Sequence, residues 1–459
     1  MIEVATYQGR LVAIFGLGRT GLSAARALRA GGAHVVLGDG NEAALKAAAE
    51  QGFETAELNE TVLTGASALV LSPGVPFTHP KPHEVVVLAK DQGCPVIGDT
   101  ELFAQVMCAG DANKSRLTGI TGTNGKSTTT ALIGHCIQGS AVGGNIGEAV
   151  LNLPASADHY VIELSSYQID LTQTLACDTA ILLNLAPDHL DRHGNFAGYQ
   201  AAKKRLFAMQ RDGANAVIGV DDPDSAGICA GLAAEGRLNV VPISINGALS
   251  HGVFIEDGTL FDAMDGAAVA VLNMADAPAM PGAHNGQNAA AAYAACKLAG
   301  MEREAIAARI KSFPGLAHRI ETIGCIDGVR FVNDSKATNA EAAAKALAAF
   351  TNIYWIAGGK PKEGGLAPLY EGLGNVTQAY LIGEAAAQFA QELAGKVPTQ
   401  ISNTIEQATA KALVDAKQTG GVVLLSPAAA SFDQFKDFEA RGEAFRAAVQ
   451  ALHHGGEAS

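Results

Sequence analysis

The sequence predicts an α/β protein of three consecutive domains: a Rossmann-like domain at each end and a P-loop-type domain with a mostly parallel sheet between them. Three observations point there. Short apolar runs of strand length alternate with Ala-rich segments of helical pattern along the chain, the order expected of parallel sheets covered by helices. The composition of 52 Gly, 48% hydrophobic and only 5% aromatic residues suits short strands and slender helices joined by tight glycine turns. A chain of 459 residues also buries more than a single core usually holds. The expected divisions are 1-108, 109-314 and 315-459.

In the first domain, LVAIF (11 to 15) opens straight into GLGRTG, and a helical Ala/Leu/Arg pattern leads to HVVLGD, a βαβ unit. ALVLS (68 to 72) and PVIGD (95 to 99) extend its sheet. Gly16, Gly18 and Gly21 form GxGxxG, where absent side chains let backbone amides and a helix N-terminus approach a phosphate, and Asp39 ends the next strand, in reach of a ribose hydroxyl. The same glycine pattern also occurs as a plain tight turn. Ser72, Pro73 and Gly74 end another strand at the same carboxyl edge, so the loops together describe a pocket for a nucleotide diphosphate.

The polar segment near 109 to 115 reads as a linker. RLTGITG, YVIELSS, TAILLNL and NAVIGV then supply a second parallel sheet, with NAAAAYAACKLAG as the expected final helix. Its turn TGITGTNGKSTTT, from 118 to 130, carries Gly122, Thr123, Asn124, Gly125, Lys126, Ser127 and Thr128 between strand and helix. Backbone N–H groups of such a turn wrap a triphosphate, Lys126 neutralises charge on the transferring group, and the Ser127 hydroxyl can hold Mg²⁺. Glu163 ends one strand of this sheet and His189 follows the next, so both project from the edge that carries the loop. A carboxylate and an imidazole there can partner Mg²⁺, although that ion prefers oxygen and a lone His is more often a structural hydrogen-bonder.

Pro and Gly break the pattern at SFPGLAHR (312 to 319), after which VRFVND, IYWIAGG, AYLIG and VVLLSP form a third set of strands. Arg319 and the run Asp334, Ser335, Lys336, Thr338 and Asn339 make this module dense in polar groups.

The charge of −14 lacks the cationic field a nucleic-acid backbone requires, so no nucleic-acid partner is expected, while a few focused cations can still hold a small anionic substrate. The cysteines at 94, 108, 136, 177, 229, 296 and 325 form no CxxC pair and no ligand-like spacing with His, the pattern of reduced thiols. The start MIEVATYQGR lacks the basic and apolar regions of a signal peptide, and no apolar stretch is long enough to span a bilayer. A soluble, cytoplasmic protein without membrane insertion is expected.

GTNGKST departs from the general GxxxxGK[ST], whose first glycine would fall at Ile120, and resembles the phosphate loop of the Mur ligases and their folylpolyglutamate synthase relatives. ELSSYQ and NLAPDHLDRHG resemble Mur ligase motifs too, and the likeness runs from the first glycine loop to the last helix. It implies an ATP-dependent, amide-forming ligase using two Mg²⁺ ions. Lys126, His189 and Lys203 would be catalytic, and Ser127, Glu163 and His189 would hold metal, joined by Lys203 if carbamylated. Lys204 is the alternative if the register slips, and a Lys pair on an amphipathic helix is otherwise a solvated face.

By the same resemblance, Asn285, Asn288, Arg319 and Asp334 would join residues 122 to 128 in binding ATP. Gly18, Arg19, Thr20, Asp39, Ser72, Pro73, Gly74, Asn145 and His189 would bind the UDP-linked substrate. NDSKATN resembles the branch of the family that adds D-glutamate to UDP-N-acetylmuramoyl-L-alanine. Lys336, Thr338, Lys362, Ser431 and Phe438 would then hold D-glutamate, with Lys360 as the alternative to Lys362, and Ala429 stands where the family pattern commonly has Cys. The implied route runs through an acyl phosphate and a tetrahedral intermediate in a monomer whose third domain closes to exclude water.

Three other readings stay distinguishable: a folylpolyglutamate synthase, a nicotinamide-dependent oxidoreductase suggested by GLGRTG and Asp39, and a non-catalytic nucleotide-binding protein. The second leaves GTNGKST unexplained.

Overall fold

The protein is described by a computed structural model covering residues 1–108, 115–361 and 365–455; the expected linker falls outside these except for Ser115. Packing divides the chain into two compact units, Met1–Pro278 with Ala283–Phe313, and Ala279–Gly282 with Pro314–Ser459.

Unit 1 holds two sheets. In the first, β1 (Leu11–Phe15), β2 (His34–Gly38), β3 (Glu54–Thr55), β4 (Leu69–Leu71) and β5 (Val96–Ile97) run parallel in the order β3-β2-β1-β4-β5. The order reverses between β1 and β4, which opens a crevice at their carboxyl ends. Both glycine-bearing loops sit there. A Cβ added at Gly16 (φ 93°) would fall 2.6 Å from the Ser72 Cβ, so this approach of the two loops requires glycine.

The second sheet has nine strands: β6 (Arg116–Thr121), β7 (Ala141–Gly144), β8 (His159–Glu163), β9 (Thr179–Leu182), β10 (Asn215–Gly219), β11 (Asn239–Ser244), β12 (Val253–Glu256), β13 (Thr259–Asp262) and β14 (Val269–Asn273). Their order is β14-β13-β12-β11-β10-β9-β6-β8-β7, parallel from β7 to β12, with β13 and β14 added antiparallel. The four strands legible in the sequence are β6, β8, β9 and β10, mostly buried and apolar. The expectation that NAAAAYAACKLAG is the final helix is corrected. Helix Ala283–Leu298 is followed by Arg303–Ser312, whose charged residues hide an apolar stripe of Ile306, Ala307 and Ile310.

One continuous core joins the two sheets. Phe103 and Tyr160 meet edge to face with centroids 5.6 Å apart, and the Ile2 N–H donates to Leu151 O at 2.8 Å. Such a ring pair adds about 0.5–1.5 kcal/mol beyond its burial. Two sheets therefore make a single compact unit.

Unit 2 carries β15 (Glu321–Ile326), β16 (Val329–Asn333), β17 (Ile353–Gly358), β18 (Val376–Ile382), β19 (Thr399–Asn403) and β20 (Val422–Leu425), ordered β15-β16-β20-β17-β18-β19. Only β15 is antiparallel to its neighbour. Trp355, fully buried at its centre, satisfies its indole N–H on Ser426 O at 2.8 Å. The three-domain α/β architecture expected from the sequence is the one observed.

Candidate active site

The loop between β6 and helix Lys126–Cys136 is held open by its own residues and by the strand beside it. Gly125 caps the helix at φ 85°, and a Cβ there would lie 2.2 Å from Asn288 Oδ1. The Thr123 N–H donates to Asn184 O at 2.9 Å, the Asn124 N–H to Asn184 Oδ1 at 2.8 Å, and the Thr123 hydroxyl lies 3.0 Å from Tyr199 Oη. The loop is thus pre-shaped around the N-terminus of a helix, where backbone amides and the macrodipole favour an anion. Asn288, buried beneath it, accepts from the Thr129 hydroxyl and donates to Asn285 Oδ1.

Two lysines converge on this loop. The Lys126 Nζ donates to Gly122 O and Thr123 O, each at 2.9 Å. Lys203, 1% exposed on helix Phe196–Ala208, donates to Gly122 O at 2.9 Å and Thr121 Oγ1 at 3.2 Å, while neighbouring Lys204 is exposed. Burial, and then the charge of Lys126, hold the Lys203 ammonium well below the usual lysine range.

Glu163 ends β8 beside the loop, 2% exposed; its Oε1 accepts from the Asn145 amide at 2.7 Å, and its Oε2 has no hydrogen-bond partner among the described residues. His189 adopts a left-handed conformation (φ 51°) at the start of the turn Leu190–His193, where burial lowers its pKa and Asp188 opposes that shift. Lys126 and Lys203 lower it further, so the imidazole shares the loop's electrostatic field.

On the first sheet, Gly18 caps helix Arg19–Ala30, which begins with Arg19 and Thr20. Asp39 is tied into the backbone, accepting from the Leu17 N–H at 2.5 Å and the Asn41 N–H at 2.8 Å. A cavity of about 730 Å³, lined in part by Phe15, Asp39, Leu58, Lys81 and His83, adjoins it. Arg19 donates to the carbonyls of Asn145 and Gly147, and Arg192 to those of Pro73, Gly74 and Val75.

In unit 2, Asp334 is buried after β16 and accepts from the Ser426 hydroxyl at 2.8 Å and the Ile320 N–H at 3.2 Å. Burial pushes its carboxyl up to about 7, against the pull of Ser426, the Ile320 N–H and Arg319. The Lys336 Nζ lies 4.2 Å from the Phe438 ring centroid, and the Thr338 N–H donates to Lys336 O at 2.8 Å. Ser431 is 1% exposed. Lys360 bridges Ala430 through two backbone hydrogen bonds; Lys362 lies outside the described residues.

Comparison with known proteins matches three family descriptions to this layout: "Mur ligase MurD-like, N-terminal domain" over residues 10–98, "Mur ligase middle domain" over 120–296, and "Mur ligase, glutamate ligase domain" over 318–429. A UDP-N-acetylmuramoylalanine--D-glutamate ligase of Phenylobacterium zucineum (strain HLK1) is 51% identical, with 99% of each chain covered. One of Caulobacter sp. (strain K31) is 52% identical over 98% of each. The chain belongs to the Mur ligase family.

Among solved structures, a UDP-N-acetylmuramate-alanine ligase from Thermotoga maritima superposes with a TM-score of 0.58 at 14% identity, over 96% of this chain and 99% of that one. A pseudomurein peptide ligase type C from Methanothermus fervidus gives 0.54 at 16%, over 97% and 100%. These two establish likeness of fold alone.

Two residues that order the loops described above, Asn184 and Arg441, carried no signal of their own in the sequence. Asn184 orders the phosphate loop, and only its position within NLAPDHLDRHG could have pointed to it. Arg441, 1% exposed, binds Ser335 through Nε at 3.0 Å to the hydroxyl and Nη2 at 2.9 Å to the carbonyl, and reaches Ala429 O at 3.0 Å. It ties the NDSKATN and SPAAAS loops into one surface. Among the described residues there is no cluster of three or more His, Cys, Asp or Glu to hold a metal. The unpartnered Glu163 Oε2 nevertheless fits a cation, because a buried acceptor left without a donor is costly.

Proposed function

We propose that this Mur ligase joins D-glutamate to the L-alanyl carboxylate of UDP-N-acetylmuramoyl-L-alanine, releasing ADP and phosphate, in the synthesis of peptidoglycan precursors. The observation that carries the reading is identity of about half, over almost the full length, to ligases of that name. The phosphate loop, with Lys126 and Lys203 gathered on one carbonyl, supports the chemistry.

A carboxylate resists an amine because its carbonyl carbon is screened by negative charge and its oxide leaves poorly, so ATP must activate it. The L-alanyl carboxylate attacks the γ-phosphorus, ADP departs, and an acyl phosphate forms. Lys126 leaves the carbonyls of Gly122 and Thr123 to neutralise the transferring group, assisted by Arg319. The D-glutamate amine, losing its proton to a general base, then adds to the acyl carbon, and collapse of the tetrahedral intermediate expels phosphate.

Ser127, Glu163 and His189 are the residues proposed to hold two Mg²⁺ ions, which when bound would neutralise phosphate charge. Lys203 is proposed to join them as its carbamate; the neutral amine favoured by its burial is the form that adds CO₂. Gly18, Arg19, Thr20, Asp39, Ser72, Pro73, Gly74 and Asn145 are proposed for the UDP substrate, Asn285, Asn288 and Asp334 for ATP, and Lys336, Thr338, Lys362, Ser431 and Phe438 for glutamate. We assign domains at 1-108, 109-314 and 315-459. No helix among the described residues is long and apolar enough to cross a membrane; a cytoplasmic monomer completes the proposal.

The test is phosphate release from ATP with UDP-N-acetylmuramoyl-L-alanine and either glutamate enantiomer. Release with the D form alone is the expected result. Release that needs a folate, or none with any acceptor, would overturn it.

A further inference from the structure

Two arginines reach in opposite directions between the first and second sheets of unit 1. Arg192 belongs to the turn Leu190–His193 that His189 begins, and its two terminal nitrogens meet three successive carbonyls of the loop after β4: Nη1 to Gly74 O at 3.1 Å, Nη2 to Pro73 O at 3.3 Å and to Val75 O at 3.0 Å. Tyr167 of ELSSYQ backs the guanidinium, whose carbon lies 4.5 Å from the ring centroid. Arg19, in the first glycine loop, donates to Asn145 O at 3.1 Å and to Gly147 O in the turn after β7. The amide of that Asn145 in turn holds Glu163 Oε1. The carboxyl of Asp99, 2% exposed, also feels the charge of Arg19, after the pull of Thr100 and of its own backbone.

A guanidinium is a rigid fork that can satisfy several fixed acceptors at once, and a lysine in its place reaches fewer of them. Acceptors on the backbone also fix where the chain runs, whatever its side chains. Resting on the ligase reading above, we propose that Arg192, and Arg19 in addition to the substrate role assigned to it there, are positioning residues that form a reciprocal clamp. Arg192 ties the Ser72–Val75 loop to the turn of His189, and Arg19 ties the first glycine loop to the turn whose Asn145 holds Glu163. The clamp sets the span from the loops that take the UDP-linked substrate to the groups around the phosphate loop. Displacement of a reacting carboxylate by about an ångström is enough to cost two orders of magnitude in rate.

The experiment uses the full chain with Arg192→Gln, Arg192→Lys and Arg19→Gln. Arg192→Gln should raise KM for UDP-N-acetylmuramoyl-L-alanine and lower kcat, together by about tenfold or more, as expected for losing charge-assisted hydrogen bonds, while KM for D-glutamate stays within about twofold. Arg192→Lys should recover part of the loss. Arg19→Gln should raise the Mg²⁺ concentration at half-maximal rate. Amide hydrogen exchange gives a readout independent of turnover: it should quicken at 72–78 in the Arg192 variants and at 145–148 in Arg19→Gln, with β6 and β9 as protected as in the wild type. Unchanged exchange at those loops overturns the clamp whatever the chain catalyses, and so does faster exchange with unchanged kinetic constants. A wild-type chain that makes no product sinks the ligase reading instead, and exchange alone then decides the clamp.

Discussion

The ammonium nitrogens of Lys126 and Lys203 both lie 2.9 Å from the carbonyl oxygen of Gly122. An ammonium so near buried Lys203 disfavours a second charge there, which leaves Lys126 as the cation placed to meet an incoming triphosphate.

Lys126→Ala should therefore lower kcat by about 10³-fold, the usual scale for removing a preorganised charge from a transferring phosphoryl group. Circular dichroism should be unchanged, since the Lys126 ammonium donates to the carbonyls of Gly122 and Thr123 in its own loop and its loss removes no core packing. A variant within about tenfold of the wild type would show that the charge on the γ-phosphate is met elsewhere.

Lys203 makes a second prediction with a definite sign in pH. Its folded pKa is depressed, so the unfolded chain holds the proton more tightly; the cost of burying the ammonium is full below the folded pKa and fades as pH rises toward 10.5. The amine should take up CO₂ with loss of a proton, so activity should fall on acidification or removal of CO₂ and return with bicarbonate. A carbamate signal with ¹³C-labelled CO₂ is the measurement. Its absence, or full activity of Lys203→Ala, would remove the carbamate from the mechanism.

Glu163→Gln keeps the shape and the Asn145 contact but removes the charge at the unpartnered oxygen. The Mg²⁺ concentration needed for half-maximal phosphate release should rise about tenfold or more, while KM for D-glutamate stays near its starting value. An unaltered Mg²⁺ dependence would move the ion away from β8.

What the sequence disclosed follows from how each feature is encoded. Strands such as β1 and β17 are continuous apolar runs closed by glycine turns, and contiguous loops such as GTNGKST carry their chemistry within a few residues. β7 (AVGG), β15 (ETIGCI) and β19 (TQISN) have no such run, because a sheet edge or a glycine approach replaces the apolar pattern. Helical periodicity left Lys203 and Lys204 undecided, and burial separates them: one is enclosed by Thr121, Gly122 and Tyr199, the other is exposed. Arg192 and Arg441 were invisible for a further reason. Most of their partners are backbone carbonyls of other segments, and a carbonyl has no letter in the code.

Asp99 supplies the last prediction. Burial pushes its carboxyl up to about 6 from 3.8, so the native state keeps a proton that the unfolded chain gives up earlier. Between those values stability falls as pH rises, and above about 6 the full cost, on the order of 3 kcal/mol for a shift of that size, is present. Asp99→Asn, neutral throughout, should unfold at higher denaturant than the wild type at pH 7.5, and the difference should close near pH 4. A difference independent of pH would mean that the carboxyl titrates alike in the folded and unfolded chains. If the stabilised variant also loosens residues 145–148 in hydrogen exchange, the carboxylate is retained for the charge it presents to Arg19, a case of stability given up at a site to keep two loops in register.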